Sequence, residues 1–438
     1  MNINEIKERV VKAIDENREL ILKAGQDMYD NPEFGYKEFK GTKIVSSYFK
    51  NELGLEVEEG IAYTGCRARS NMDVEGPKVA ILGELDAISC SDHLDSNELG
   101  AVHACGHHIQ IAGMLGAATG LIKSGILSEL GGKIDFIATP AEEFVELGYR
   151  TQLRADGKIK YFGGKQEMIY NGTFDDVDMA VMFHALDLGD KKVLTGPVSN
   201  GFIGKTVKFI GKEAHAGSAP HEGINALNAA MLGINNVHAQ RETFKESDRV
   251  RFHPIITKGG DIVNSVPADV RMEAYVRART IEGMIDANKK VNRGLTAGAY
   301  AVGAEIEITE IPGYLPILRH DSMEDVLEGN LEYLGLKEDM IKGGDFTGSF
   351  DFGDVSHIMP TLHPMFGGIK GALHTREFKT VDDEVAILMP AKALALTVVD
   401  LLFAQGKKAK EILGNFRPVM TKEEYLAFME SNDKVIKG

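Results

Sequence analysis

The chain has 438 residues, 43% of them hydrophobic and 26% charged, the balance of a soluble globular protein large enough for two domains. Its formal net charge of −16 repels phosphate backbones, and no basic cluster with interleaved aromatics offsets it, so nucleic acid is not an expected partner. Three cysteines, Cys66, Cys90 and Cys105, are too few for a disulfide framework in a chain of this length.

The opening MNINEIKERVVKAIDENRELILKAGQDMYDNPEFG reads as a charged amphipathic helix, not a signal peptide. The apolar run Ile109 to Ile122 is short for a bilayer and carries three glycines, so no membrane partner is expected and the location is expected to be cytoplasmic and reducing. KVAILGEL (78–85), KIDFIATP (133–140) and DMAVMFHA (178–185) are continuously apolar, as strands covered on both faces should be. Between the first two, HIQIAGMLGAATGLIKSG reads as a helix ended by Gly125. This alternation predicts an α/β domain with a mostly parallel sheet.

The texture changes near Gly196–Gly201. From there the pattern predicts a strand (FIGKTVKFIGK), a helix (about 223–242), two strands (about 251–257 and 268–279), a helix (about 281–300) and a strand (about 304–310). That is an α+β unit with a four-stranded antiparallel sheet and two helices, left through the linker IPGYLP (311–316). Helical and short apolar segments then resume, ending in the helix AILMPAKALALTVVDLLFAQG. The reading is a discontinuous catalytic domain, 1–198 and 313–438, with residues 199–312 inserted as a smaller domain. SNGFIGKT (199–206) imitates the end of a phosphate-binding loop, but it begins with serine and leads into a strand.

Ligands of open α/β sheets bind beyond the carboxyl ends of the strands. All three predicted strands end there in metal-capable side chains: Asp86, the pair Glu142 and Glu143, and His184. Cys105 and His107, two apart across a glycine before a helix N-terminus, can aim a thiolate and an imidazole at one ion, a pair suited to zinc or another late transition metal. Cys66 and Cys90 read as small buried apolar residues, and His103 and His108 as hydrogen-bonded loop histidines. Two consecutive carboxylates repel each other unless cations are close, so one is expected on metal and the other free to shuttle a proton.

The ordered motifs GELDAI, HACGHH, TPAEE, FHA, GKEAHAGSAPHEGINALNAA, GGDIVNSVP and ALHT resemble metallopeptidase family twenty, which includes aminoacylases, carboxypeptidases and amidohydrolases. HACGH resembles the amidohydrolase subfamily, and GSFDFGDVSHIMPTLHPMF the branch of p-aminobenzoyl-glutamate hydrolases and aminoacylase-like dipeptidases. The resemblance runs from about residue 10 to about residue 405. It implies an inserted ferredoxin-like lid and dimerisation domain, hence a homodimer, and two divalent ions per chain, zinc or manganese. The implied ligands are Cys105, His107, Glu143, His184 and His374. Glu142 matches the family's general base, and Asp86 an acid that supports the site from behind the ligands. His215 matches a residue that reaches a partner subunit's active site and holds the oxyanion or substrate carboxylate. Asn264 and Arg277 match the region that binds the substrate carboxylate. Two positions depart from the pattern: His108 stands where Asp or Asn is usual, and Gln110 where some members have another histidine.

The resulting expectation is a hydrolase of amide bonds in N-acyl or aminoacyl amino acids, small dipeptides or aminobenzoyl-glutamate-like conjugates. A non-catalytic metal-binding regulator would keep the ligands but has no need of a free Glu142. A structural zinc site would be locally spaced and closed, unlike donors spread from position 105 to position 374.

Overall fold

The computed structural model describes all 438 residues, which fold into two compact units. The first comprises Met1–Val198, Leu318–Asp345 and Asp354–Val419; the second comprises Ser199–Ile317, Phe346–Gly353 and Met420–Gly438.

The first unit is built on a six-stranded sheet in the order Val57–Ile61, Gly65–Ser70, Lys133–Thr139, Lys78–Glu84, Met179–Val181, Thr361–Leu362. The last four run parallel, and the first two join by antiparallel pairing. Every residue of Lys78–Glu84 is buried, which is why that run is continuously apolar up to its final Glu84. In register, Glu84 lies opposite Thr139, so the chain leaves both strands at one edge of the sheet. The 178–185 run is not one strand. Met179–Val181 stays in the parallel sheet, whereas His184–Ala185 pairs with Met365–Phe366 in a second sheet of four strands. The chain thus carries His184 off the end of the first sheet.

Helix His107–Lys123 is buried from His107 through Leu121, as a helix that is apolar all round must be. Helix Met389–Asn415 is interrupted by non-helical residues from Phe403 to Gly406 and preceded by a π-helical turn, Glu384–Leu388. By length and composition Glu384–Asn415 could cross a membrane, yet 89% of its most apolar window is buried against the rest of the protein. Here it is a core helix.

The second unit contains an antiparallel sheet in the order Arg251–Lys258, Asp269–Ala278, Gly201–Ile210, Glu305–Pro312, Lys434–Lys437. The alternating residues Val207, Phe209, Val270, Met272, Val276, Ile306 and Ile308 form one core with Ala226, Ala230, Val237, Val291 and Leu295 of helices Ala226–His238 and Ile281–Val302. The helices approach most closely at Gly233 and Gly298, where a Cβ on Gly298 would lie 2.2 Å from the Gly233 nitrogen. Sequence patterning implies four strands here; the structure has five. The added strand comes from residues far along the chain, and Met420–Gly438 and Phe346–Gly353 cluster with this unit, not with the first. Local periodicity cannot reveal a pairing between segments so distant in sequence.

Candidate metal centre and active site

Beyond the carboxyl edge of the parallel strands, the first unit gathers buried metal-capable donors. Three groups have ligand atoms within 4.8 Å of one another: Cys105, His107 and His184; Cys105, Glu143 and His374; and Glu84, His107 and Glu142. Cys105 belongs to the first two groups, and His107 links the first to the third.

Backbone geometry aims these side chains. Gly106 has φ +85°, a conformation natural to glycine, and a Cβ there would meet the Ala185 Cβ at 3.0 Å. This turn sets Cys105 and His107 on either side of the helix start. Ala141 and His374 also adopt positive φ, +53° and +61°, a strained state that clusters at functional sites. The His374 amide donates to the Ala104 carbonyl at 2.9 Å, which ties that distant residue to the segment bearing Cys105.

Neighbouring acceptors determine which imidazole nitrogens are free. His107 Nδ1 lies 2.8 Å from the Asp86 carbonyl and 3.1 Å from Asp86 Oδ1. Both only accept, so Nδ1 carries a proton and Nε2 is the nitrogen left to bind a metal. His184 Nδ1 lies 2.7 Å from the Ala185 carbonyl, leaving its Nε2 to face the Cys105 Sγ at 3.5 Å. His374 Nε2 is 3.2 Å from that sulfur and 2.9 Å from Glu143 Oε1. The second Asp86 oxygen accepts the Glu143 amide at 2.8 Å, so one carboxylate orients His107 and anchors the loop carrying the glutamate pair.

Burial pushes the Cys105 thiol well above its ordinary range, and the Glu143 and Glu142 carboxylates push it the same way. Burial lowers His184 to about 4 against the pull of Glu84, and the neighbouring His107 pushes the same way as burial. Burial would also lower His107, but Glu84 and Asp86 outweigh it and raise the imidazole to about 9. Burial works against ionised Glu143 too, yet His374 and His107 bring it to about 2. The pocket is therefore built to hold positive charge. His107 Nε2 is fully buried and makes no hydrogen bond, the signature of an atom reserved for another partner. A thiol, three imidazoles and several carboxylates on that footing fit a pair of divalent cations.

Of the residues singled out in the sequence, Cys105, His107, Glu142, Glu143, His184 and His374 converge here, with Asp86 behind them. His108 does not join them: it contacts Thr380 Oγ1 at 3.4 Å and packs its ring 4.8 Å from that of Tyr29. Gln110 donates to Glu84 Oε2 at 2.8 Å. His215, Asn264 and Arg277 belong to the second unit. His215 is exposed, and its Nδ1 accepts from the amides of Gly217 and Ser218, each at 3.1 Å. That fixes the proton on Nε2 and makes the imidazole a donor. The exposed Asn264 accepts the Ala216 amide on its carbonyl at 2.9 Å. Arg277 donates to Ser349 Oγ at 2.8 Å and to His253 Nε2 at 3.2 Å.

Sequence reading misses three residues of the first unit. Glu84 is fully buried, with Lys165 Nζ 2.6 Å from its Oε1. Arg150 is also fully buried and donates to the carbonyls of Glu143 and Phe162. For Glu84 the available signal was a charge at the end of an apolar strand, since such a group must find a partner; Arg150 and Lys165 lie in helices and carry no such local mark.

A peptidase dimerisation domain profile matches residues 199–300. The Xaa-Arg dipeptidase of Mus musculus is 30% identical over 419 residues, which span 91% of this chain and 89% of that protein. Among solved structures, an aminobenzoyl-glutamate utilization protein from Klebsiella pneumoniae aligns with a TM-score of 0.68 at 17% identity, covering 90% of this chain and 99% of that one. A dinuclear metal-binding peptidase from Bacillus subtilis aligns with a TM-score of 0.64 at 19% identity, covering 89% and 99%. The dipeptidase relative, the dimerisation-domain match and the shared fold show that this chain belongs to the M20 family, metallopeptidase family twenty, and is a metal-dependent hydrolase of amide or peptide bonds.

Proposed function

We propose that the protein cleaves the amide bond of small dipeptides, N-acyl or aminoacyl amino acids, or aminobenzoyl-glutamate-like conjugates, with Glu142 as general base. The observation that carries this reading is the divergence of the glutamate pair. Glu143 faces His374 at 2.9 Å, whereas Glu142 Oε2 stands 3.9 Å from His107 Nε2.

Cys105, His107, Glu143, His184 and His374 would hold two divalent ions, which when bound polarise the scissile carbonyl and make water acidic enough to attack near neutral pH. Thiolate and imidazole donors favour zinc, and manganese remains the alternative suggested by family resemblance. Glu142 takes the proton of the attacking water on Oε2 and returns it to the departing amine nitrogen. Its 4% exposure keeps bulk water from competing for that proton. Asp86 keeps the His107 proton on Nδ1. In the homodimer the Nε2–H of His215 reaches the active site of the partner subunit and donates to the oxyanion or to the substrate carboxylate, with Asn264 and Arg277 assigned to that carboxylate. The name of the mouse relative, Xaa-Arg dipeptidase, supports dipeptides as the first substrates to try.

We further assign the inserted unit to homodimer formation. Its Arg251–Lys258 strand lies at a sheet edge with Ile255 63% and Ile256 41% exposed, and an apolar open edge of this kind is usually covered by a partner.

The deciding experiment is a mass-spectrometric screen of dipeptides and amide conjugates with zinc- or manganese-reconstituted protein, using Glu142→Gln as control. Metal-dependent release of free amine from at least one class is expected. Two bound ions without release from any class would favour a metal-binding regulator instead.

A further inference from the structure

Glu84 is the least explained group near the donors. It ends the Lys78–Glu84 strand, is fully buried, and lies outside the ligand set implied by family resemblance. Its Oε1 pairs with Lys165 Nζ at 2.6 Å, and Oε2 accepts from Gln110 Nε2 at 2.8 Å. That same Oε2 lies 3.1 Å from His107 Nε2, yet the two are not aligned as a hydrogen bond and Nε2 has no other hydrogen-bond partner.

This spacing has a simple physical meaning. Bonds from zinc to nitrogen or oxygen are about 2.0–2.2 Å, so two adjacent donors on one ion, at right-angle to tetrahedral separation, stand roughly 2.8–3.6 Å apart. Glu84 Oε2 and His107 Nε2, at 3.1 Å, fall within that span; Glu142 Oε2, at 3.9 Å from the same nitrogen, falls outside it. The two carboxylates that share His107 as neighbour are therefore not equivalent.

We propose that Glu84 is an additional ligand of the ion held by His107, with Lys165 and Gln110 as positioning residues that fix its carboxylate. The assignment rests on the two-ion reading above and deepens it. Glu84 takes the coordination place beside His107 that Glu142 would otherwise compete for, and Glu142 keeps the proton-transfer role.

The test uses full-length protein reconstituted with cobalt(II), read by metal stoichiometry, chelator competition and the cobalt d–d spectrum. Removing Glu84 alone deletes the carboxylate paired with the buried Lys165, so the primary variant is Glu84→Gln with Lys165→Met, checked for folding by circular dichroism; Glu84→Asp, which keeps the ion pair but shortens the reach, is the second. In both variants one of the two ions is expected to bind at least about 100-fold more weakly, with an altered d–d spectrum. Two ions bound with unchanged affinity and spectrum in either folded Glu84 variant would overturn the assignment and leave the parent reading intact. Wild-type protein that binds no cobalt would overturn both.

Discussion

Glu142 and Glu143 are adjacent in the chain, yet their carboxylates serve different neighbours: Glu143 Oε1 is 2.9 Å from His374 Nε2, and Glu142 Oε2 is 3.9 Å from His107 Nε2. The turn that separates them begins at Ala141, with φ +53°, and is held by the Asp86 carboxylate on the Glu143 amide and by Arg150 on the Glu143 carbonyl. Glu142→Gln is expected to retain both metals and lose about 100- to 10,000-fold in kcat. Turnover of the best substrate together with metal analysis checks this; a variant with most of its activity would remove Glu142 as the base.

Cys105 is the donor common to two of the three groups. Cys105→Ser should therefore weaken both ion positions together and abolish the thiolate-to-metal charge-transfer absorption of the cobalt form. Two successive chelator titrations, one before and one after the substitution, make the comparison. Loss confined to a single ion would show that the sulfur serves one position alone.

The second unit carries a buried charge cluster unrelated to the metal donors. Lys205 Nζ lies 2.8 Å from Glu310 Oε1, which also accepts from Asn288 and Asn292, each at 2.6 Å. Burial raises the Glu310 carboxyl, but Lys205 and the amides outweigh it and bring it from 4.5 down to about 2. Because the folded value is depressed, the stabilisation is complete above pH 4.5 and is lost as pH falls toward 2. Glu310→Leu leaves Lys205 buried without its carboxylate and should cost about 3–5 kcal/mol. Adding Lys205→Met should recover most of that. Denaturant melts at neutral and acidic pH test both points: the double variant should have the flatter acid limb.

The proposed dimer predicts a concentration-dependent sedimentation coefficient. Replacing Ile255 and Ile256 by lysine on the exposed edge strand should shift the protein toward monomer while leaving metal stoichiometry at two. His215→Ala provides the complementary measurement. With its Nε2–H lost, kcat/KM should fall about 100- to 1,000-fold without change in metal content or association state. Unchanged kinetics would exclude a substrate-facing role for that imidazole.

Much of this architecture is legible in the residues because its signals are local. Unbroken apolar runs mark the buried parallel strands, and polar groups at their ends mark the site edge. Glycine at 106 marks a turn between two donors. What escapes is non-local. Glu84 reads as part of a strand until Lys165, Gln110 and His107 are seen around it. His184 reads as the end of one strand, whereas the chain has already crossed to a second sheet. The fifth strand of the second unit has no buried face to mark it, since it is mostly exposed and held by backbone pairing with Glu305–Pro312.

That late pairing has a consequence for biogenesis. The Glu305–Pro312 strand leaves the ribosome well before Lys434–Lys437 is synthesised, so during translation one margin of the sheet stands unpaired while its helices are already available to pack. An open margin can recruit a neighbouring nascent chain. That margin closes only after the first unit's long apolar helix has been synthesised, so until then it is open to pairing with another chain.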